Sequence, residues 1–566
     1  MLLAGSLLLN GGCDYGSTEG RDDESFNGGN TGGVLQGAGG NLPGTGGSSA
    51  SGGSSASGGS SASGGSSASG GSSASGGSSA SEGSSASGGS SASGGSYPGS
   101  GGFPSGGNGA GGSEPGRGGS GGAPPSDCIP EGKARNPLIS QIFTADPNAI
   151  VYGDRIYVYV SHDVDGQDGF DMIDHHVYSS DDLVNWQDHG VVIHVNDLSW
   201  ASRLYAPAGC AKDGKYYMYL TNGGSQIGVA VADDPGGPFT DALGHGLLSG
   251  SFPNADVPWL FDPACFVDDD GQAYLYFGGG PDGGQNARVV RLNDDMSSIK
   301  DSAATTIPTT AFFEASFMHK YGGKYYFSYS SDFSSGHGAA LEYYIGDSPL
   351  MDGAEYKGAL LSNSEINSYN NNHGSIVEFQ GKHYVFYHNR KLMQELGTNK
   401  VNNRSIAIQE LTYAADGSIN PLNMSSDDFT VSQLKCLDGF AEVEAERLAA
   451  ESGIEVEGNS GEIVRVAQID SGDWVAYSQV DFRDGASSLV ARVAAASTGG
   501  TIDVVINGCI DGSAGTSIGT CDVTSTGTLA TFSQLACSIT APGGPHDLCL
   551  KFSGDTNFEF DSFHLE

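Results

Sequence analysis

A short pattern recurs five times between residues 137 and 420: a few apolar residues, a tight turn with glycine, and an aromatic-rich strand. The copies recur about every 50–60 residues, which is close to the length of one four-stranded propeller blade. Strands rich in Tyr, Val and Phe with Gly-containing turns indicate an all-β fold, and no sustained helical periodicity interrupts them. The repeat therefore predicts a five-bladed β-propeller over residues 128–435, with turn glycines at Gly153, Gly214, Gly271, Gly323 and Gly381.

One position lies just ahead of the strand in each copy, and its five residues are Asp146, Ala206, Asp262, Glu314 and His373. Four of the five are polar, and Ala206 is the exception. If each copy opens with the innermost strand of its blade, these side chains converge at one end of the central axis. A single Asp-Pro at such a place is more often a turn cap than a functional group. Three carboxylates in register favour a catalytic site instead.

Paired carboxylates suit the hydrolysis of glycosidic bonds. Inversion needs a carboxylic acid that protonates the leaving oxygen and a carboxylate that activates water, about 6.5–9.5 Å apart. Opposing blades of a narrow propeller can supply that spacing. A third carboxylate nearby raises the pKa of the acid by like-charge repulsion and keeps it protonated.

Four segments resemble glycoside hydrolase family 43, over about residues 135 to 425: "FTADPNAIVYGDRIYVY", "WLFDPACFVDDDGQAYLYFGG", "FFEASFMHKYGGKYYFSYS" and "NNNHGSIVEFQGKHYVFYHNR". The resemblance points to the branch of arabinoxylan-debranching α-L-arabinofuranosidases. It implies an inverting hydrolase that removes α-L-arabinofuranosyl side chains from arabinoxylan, a plant cell-wall polysaccharide. A β-xylosidase or endo-arabinanase of the same fold is the first alternative, and a non-catalytic surface glycan-binding protein is the second.

The same resemblance implies a role for each of the three acids. Asp146 matches the general base and Glu314 the general acid, while Asp262 matches the residue that tunes the pKa of the acid and orients it.

Three further residues are matched with binding roles. His373 corresponds to a histidine that faces a metal ion, usually calcium, or its water shell in the channel, and a hydrogen-bonded core histidine is the alternative. Arg404 matches an arginine near the sugar subsite. Tyr205 stands where many relatives carry Trp, so it keeps an aromatic platform for the sugar.

The sequence pattern differs in residues 436–566, where short strands alternate with Gly-rich turns. This pattern predicts a β-sandwich of the jelly-roll type. The segments "EVEAERLA", "SGDWVAYSQVDF", "GASSLVARVA" and "GTCDV" resemble a family 6 carbohydrate-binding module. The resemblance implies a structural calcium ion, whose oxygen ligands would be Glu444, Glu446 and Asp561.

The cysteines of this segment suggest disulfides. The resemblance implies a disulfide between Cys521 and Cys537, and Cys509 with Cys549 could form another. Sugar binding by the domain stays open, since Leu529 occupies the region where the family usually places a stacking Trp.

The first 127 residues carry no core. Residues 1–13 resemble the tail of a bacterial lipoprotein signal peptide ending at Cys13, and a plain secretory signal or a misplaced start are the alternatives. Residues 14–127 form a Gly/Ser-rich low-complexity linker, which we expect to be a disordered tether.

The charge balance restricts the partners. A net charge of −41 argues against nucleic acid and anionic membrane surfaces. None of the nine cysteines forms a CxxC motif or a Cys/His cluster, which favours disulfides in an exported protein over a zinc site. We therefore expect a monomer outside the cell or on its surface, with membrane contact only through a lipid anchor in the bacterial outer membrane.

Overall fold

The computed structural model describes residues 131–167, 169–281, 284–332, 339–367, 371–432 and 434–566. The predicted signal (1–13) and linker (14–127) lie outside the described residues. Within them the chain is all-β, as the repeat predicted, with one short α-helix and one 3₁₀ turn. No described helix has both the length and the apolar character that crossing a membrane requires.

The first part of the described chain contains strands β1 to β23, the 3₁₀ turn Val195–Asp197 and helix α1, Lys391–Glu395. In chain order the strands are β1 Gly132–Ala134, β2 Thr144–Tyr152, β3 Arg155–His162, β4 Asp174–Ser180, β5 Trp186–His194, β6 Tyr205–Lys212, β7 Lys215–Asn222, β8 Gln226–Ala232, β9 Thr240–Asp241, β10 Leu248–Ser249, β11 Ala264–Val267, β12 Ala273–Phe277, β13 Arg288–Arg291, β14 Thr305–Thr306, β15 Phe312–Tyr321, β16 Lys324–Ser331, β17 Ala340–Gly346, β18 Glu355–Ser362, β19 Gly374–Phe379, β20 Lys382–Asn389, β21 Ser405–Leu411, β22 Leu422–Asn423 and β23 Phe429–Val431.

The second part contains β24 to β36. These strands are β24 Leu437–Asp438, β25 Val443–Glu444, β26 Arg447–Leu448, β27 Ala450–Ser452, β28 Glu455–Glu457, β29 Arg465–Ala467, β30 Trp474–Asp481, β31 Ser488–Ala495, β32 Gly500–Ile506, β33 Thr516–Asp522, β34 Phe532–Ser538, β35 Pro545–Gly554 and β36 Phe558–Leu565.

Each copy of the sequence repeat forms the first hairpin of its own sheet. The strands pair in chain order into sheet 1 (β2–β5), sheet 2 (β6–β10), sheet 3 (β11–β14), sheet 4 (β15–β18, extended by β22) and sheet 5 (β19–β21). All five turn glycines predicted from the sequence have positive φ. Because an added Cβ would meet no atom within 4 Å at any of them, the left-handed backbone of the turn, and not crowding, favours glycine there.

The five sheets pack in cyclic order. Five apolar clusters each combine residues of two sheets: sheets 1 and 2, 2 and 3, 3 and 4, 4 and 5, and finally 5 and 1. The first strands contact one another in the same sequence, and β19 of sheet 5 contacts β2 of sheet 1. The start of every sheet therefore lies near the starts of its two neighbours.

The N-terminal end of the described chain lies against sheet 5. The Leu138 N–H donates to the Ile406 carbonyl at 2.8 Å, and the Asn136 side chain bonds both the N–H and the carbonyl of Ile408. β1 pairs with β23 beside them. Residues from the two ends of the repeat region are thus hydrogen-bonded to each other.

Strands β24, β27, β30, β32, β33 and β35 form one six-stranded sheet, and β25, β28, β29, β31, β34 and β36 form another. A single apolar cluster contains residues of both, including Tyr477, Leu489 and Phe560. This second core is joined to sheet 1 by β26, which pairs antiparallel with β5. The Asn185 side chain also bonds the N–H and carbonyl of Ser478.

Disulfides link three pairs of described cysteines. Cys521–Cys537 and Cys509–Cys549 join strands of the C-terminal part, which confirms both expected pairings. Cys210–Cys265 was not anticipated from the sequence, and it joins β6 of sheet 2 to β11 of sheet 3.

Candidate active site

The three predicted acids lie where the first strands of sheets 1, 3 and 4 begin. Asp146 and Asp262 have φ of 52° and 50°, and Ala315, directly after Glu314, has φ of 63°. Register shifts in β2 and β15 place bulges at Asp146 and Glu314. A bulge redirects the side chain that it carries, and strained backbone of this kind concentrates at functional sites.

Asp146 is buried next to Arg404 and two histidines. Arg404 Nη1 lies 2.8 Å from Asp146 Oδ1, and the Nδ1 atoms of His388 and His373 lie 3.3 and 3.5 Å from the same oxygen. Burial raises the pKa of Asp146, but Arg404 and the hydrogen bonds of both histidines lower it more. Its pKa therefore lies well below the ordinary value, and the side chain is a carboxylate at neutral pH.

Arg404 is itself fixed by a second acid. Its Nε and Nη2 donate to the two carboxylate oxygens of Asp163 at 2.9 and 2.8 Å, and its backbone N–H donates to Asp163 as well. This bidentate pair orients the guanidinium so that Nη1 points to Asp146. Nη1 also donates to Asn371 Oδ1 at 3.1 Å.

Glu314 has the opposite electrostatic environment. Burial raises its pKa most, the charges of Asp262 and Asp146 raise it further, and the result is a pKa well above the ordinary value. Its Oε1 accepts a hydrogen bond from Asn371 Nδ2 at 2.9 Å. Glu314 is therefore a protonated acid under conditions in which Asp146 is ionised.

Asp262 lies next to both groups. Its Oδ2 accepts from the N–H of Ala315 at 2.7 Å and lies 3.7 Å from His373 Nδ1. Burial raises the pKa of Asp262 to about 6, with His373 opposing the shift and Asp146 adding to it. At neutral pH Asp262 is therefore a carboxylate, bonded to the backbone N–H of the residue that follows Glu314.

The pKa values of the two histidines near Asp146 are shifted in opposite directions. His388 Nδ1 accepts from the N–H of Asp146 at 3.2 Å and Nε2 bonds the Asn371 carbonyl at 3.0 Å, while burial lowers its pKa to about 4. His388 is therefore neutral at neutral pH, and it bonds the backbone of both Asp146 and Asn371. Burial lowers the pKa of His373, but Asp262 and Asp146 together raise it above the ordinary value.

The acids open into a small pocket with an aromatic wall. Phe170, Met172, Tyr205 and Phe261 line it together with the acids, Asn371 and Arg404. Tyr205 packs edge-on against Phe261 with ring centroids 5.9 Å apart, and Phe170 lies over the Arg404 guanidinium at 5.3 Å. Apolar walls around a few well-placed polar groups are typical of a pocket that binds a small molecule.

A larger cavity, of about 720 Å³, lies at the outer edge of sheet 4. It is lined by Tyr321, Tyr413 and surface charges such as Lys324 and Asp347, which pair with each other. None of its described lining residues is a buried carboxyl with a shifted pKa, so the smaller pocket is the candidate active site.

The acids predicted to bind calcium share a different cavity, in the C-terminal part beside sheet 1. Glu444, Glu446 and Asp561 line it with Glu442 and Arg492. Arg492 forms an ion pair with Asp561, and Glu446 Oε2 is buried without a hydrogen-bond partner among the described residues. The three predicted ligands do not approach within 4.8 Å of one another as a set in the described chain, although their donor chemistry suits a hard cation.

The structure brings together all the predicted residues of the catalytic part: Asp146, Asp262, Glu314, His373, Arg404 and Tyr205. Sequence reasoning missed three residues that connect them, namely Asp163, Asn371 and His388. Asn371 and His388 stand inside the segment "NNNHGSIVEFQGKHYVFYHNR", so the motif held the signal without showing which side chain turns inward.

Comparison with known proteins gives two family matches. Residues 134–419 match the model of glycosyl hydrolases family 43, and residues 444–566 match that of carbohydrate binding module (family 6).

Individual relatives agree with these matches. An arabinoxylan arabinofuranohydrolase of Paenibacillus polymyxa is 37% identical, over 74% of this chain and 72% of its own. A xylosidase/arabinosidase 43A of Humicola insolens is 38% identical over 50% of this chain and 98% of its own.

A solved structure covers both parts of the described chain. It is the family 43 arabinoxylan arabinofuranohydrolase of Bacillus subtilis in complex with cellotetraose, which is 33% identical, covers 76% of this chain and 97% of its own, and has a TM-score of 0.69. The chain, with its three buried acids in one pocket, belongs to glycosyl hydrolases family 43 and is a glycoside hydrolase.

Proposed function

We propose that this hydrolase removes α-L-arabinofuranosyl side chains from arabinoxylan with inversion at the anomeric carbon. The observation that carries the proposal is the pair of acids, Asp146 and Glu314, with oppositely shifted pKa values in one pocket. Relatives named arabinoxylan arabinofuranohydrolase support the choice of substrate.

We also propose the finer architecture. Sheets 1 to 5 form a five-bladed propeller around the acids, supported by their cyclic packing and by the contact of β19 with β2. Residues 436–566 form a jelly-roll sandwich, supported by the apolar cluster that both six-stranded sheets share. In this arrangement the three acids lie at the starts of the innermost strands.

In the reaction, Asp146 takes a proton from a water molecule that attacks the anomeric carbon, and Glu314 gives its proton to the leaving xylan oxygen. The low pKa of Asp146 keeps it ionised, so that it can accept a proton, and the raised pKa of Glu314 keeps that group protonated, so that it can donate one. Asp262 remains ionised near neutral pH and stabilises the protonated form of Glu314 by repulsion.

Positioning comes from Arg404 and Asn371. Arg404 contacts the base and Asn371 contacts the acid, and the two side chains bond each other. They form a continuous bridge between base and acid, which holds the two groups in a fixed relation. Tyr205 and Phe261 supply the apolar wall for the arabinose ring.

Two calcium sites are part of the proposal. With Nδ1 turned to Asp146 and Asp262, His373 has Nε2 left to face a calcium ion or its water shell, which would supply a fixed positive charge near the acids. In the C-terminal part, Glu444, Glu446 and Asp561 would hold a structural calcium, supported by the buried and unpartnered Glu446 Oε2.

We propose an extracellular or cell-surface location. Cys210–Cys265, Cys509–Cys549 and Cys521–Cys537 support folding in an oxidising compartment. Attachment through Cys13 rests on the sequence signal alone, because that residue lies outside the described part of the chain.

The test separates the roles of the acids by leaving group. Asp146→Asn should lose turnover on both arabinoxylan and an aryl arabinofuranoside. Glu314→Gln should lose arabinoxylan turnover but keep most activity on an aryl substrate whose phenolate leaves without protonation. Asp233→Asn, at an exposed surface acid, is the matched control. Turnover of arabinoxylan like that of the wild type in either active-site variant would refute the assignment.

Product analysis separates the alternatives. Free arabinose from arabinoxylan, with the β-anomer formed first in a proton NMR time course, supports inverting debranching. Release of xylose from xylo-oligosaccharides would favour the β-xylosidase, and cleavage of linear arabinan would favour the endo-arabinanase. Binding of polysaccharide without any released sugar would favour a non-catalytic binding protein.

A further inference from the structure

A second polar cluster lies at the base of the loop between β3 and β4, outside the catalytic acids. His162 is the last residue of β3, Asp174 is the first of β4, and His176 follows two positions later. Side chains alternate along a strand, so Asp174 and His176 share one face of β4. Ser161 pairs with His175 in the ladder, which brings His162 beside Asp174 across the hairpin.

The ligand atoms of these three side chains lie at metal-binding separations. His162 Nδ1 is 2.9 Å and His176 Nε2 is 3.7 Å from Asp174 Oδ1, and each of the three residues offers one ligand atom within 4.8 Å of those of the other two. In a tetrahedral zinc site with bonds of about 2.0–2.1 Å, neighbouring ligand atoms are about 3.3 Å apart. The observed distances lie on either side of that value, so small shifts would complete the geometry.

The surroundings also suit a cation. His176 is 5% exposed, and its Nδ1 and the Nε2 of His162 have no hydrogen-bond partner among the described residues. Asp188 Oδ1 lies 3.9 Å from His176 Nδ1, on the side where a metal-bound imidazole usually meets a supporting carboxylate. A simple His162–Asp174 hydrogen bond does not account for the buried His176, whose Nε2 lies 3.7 Å from Asp174 Oδ1 and whose Nδ1 has no hydrogen-bond partner in the described part of the chain.

We propose that His162, Asp174 and His176 form a binding site for one divalent transition-metal ion, of which Zn²⁺ fits best. Two imidazoles and one carboxylate are ligands that zinc accepts, with solvent in the fourth position.

The site lies where β3 ends and β4 begins, and described residues between these two strands form part of the active-site wall. Among these residues, Asp163 fixes Arg404, and Phe170 and Met172 line the pocket. The metal therefore holds the loop, and through Asp163 it keeps Arg404 in position. Its role is structural positioning, and no step of the hydrolysis passes through it.

The experiment measures metal binding by the full chain directly. Chelator-treated protein is dialysed against Zn²⁺, and bound zinc per chain is determined by elemental analysis. His176→Gln and the milder, isosteric Asp174→Asn should each bind one equivalent less than the wild type. His245→Gln, at an exposed histidine, should bind as much as the wild type. Substitution of Co²⁺ should give the visible absorption of a four-coordinate ion in the wild type and lose it in both variants.

A second readout tests the proposed role. Zn²⁺ should raise the Tm of the wild type and of His245→Gln, and leave the Tm of His176→Gln and Asp174→Asn unchanged. Far-UV circular dichroism establishes that each variant is folded before it is compared. Wild-type protein that binds no Co²⁺ with a four-coordinate spectrum would overturn the proposal, even if a variant fails to fold. Equal zinc content in the wild type and the two variants would overturn it as well.

Discussion

Replacing Asp262 with Asn removes a charge beside Glu314 while keeping the shape and the acceptor for the Ala315 N–H. Like charges about 4–6 Å apart, at an effective dielectric constant of about 20, repel each other by about 3–4 kcal/mol. Burial raises the pKa of Glu314 most and the charge of Asp262 raises it further, so Asp262→Asn should lower the pKa of Glu314. The general acid is active only when protonated, and the alkaline limb of activity should therefore move to lower pH.

The acidic limb should change too. The pKa of Asp262 is about 6, whereas that of Asp146 lies well below its ordinary value. Protonation of Asp262 near pH 6 removes a negative charge that favours the oxocarbenium-ion-like transition state, so it should produce the first loss of activity on acidification, and Asp262→Asn should abolish that step. The assay is the pH dependence of kcat/KM on arabinoxylan between pH 4 and 10, with Asp233→Asn as control. An alkaline limb at the wild-type position would refute the reasoning.

Three further predictions follow from other contacts. Asn371→Ala removes a hydrogen bond that lowers the pKa of Glu314, so the alkaline limb should move to higher pH, opposite to the effect of Asp262→Asn, while kcat/KM falls by about 10²-fold; pH profiles of kcat/KM check both. Burial raises the pKa of Glu446 well above 4.5, so the metal-free protein should lose stability as pH rises from 4.5 through the folded-state pKa. Glu446→Gln should then have a higher Tm than the wild type in chelator at pH 7, and calorimetry with added calcium should reverse the order. Cys210→Ser with Cys265→Ser opens a link across 55 residues and should lower the free energy of unfolding by about 4 kcal/mol, measured by urea denaturation.

The sequence predicted that the three acids share one pocket because they occupy one position of a repeat. Asp146, Asp262 and Glu314 each precede an aromatic strand, and a position held in register across sheets has to lie on one side of the fold. The turn glycines could be predicted for a similar reason, since a short hairpin turn needs positive φ.

Contacts between repeats could not be predicted in this way. Arg404 pairs with Asp163, which lies 241 residues earlier, and Asn371 bonds Glu314 across 57 residues. Neither pair shows a local pattern, because side-chain partners of this kind depend on how the sheets pack. The Cys210–Cys265 link is another example, because two cysteines in separate hairpins become partners only when β6 and β11 are neighbours.

By itself, the sequence determined the kind of strand, the number of repeats and the chemical identity of the acids, since these follow from local alternation, turn geometry and residue type. The tertiary structure decided which acid is ionised and which is protonated. Asp146 and Glu314 are both buried carboxyls, and they differ because Arg404 lies against one and Asp262 lies beside the other. A pKa depends on the charges within a few ångströms in space, and only the packed sheets bring those charges together.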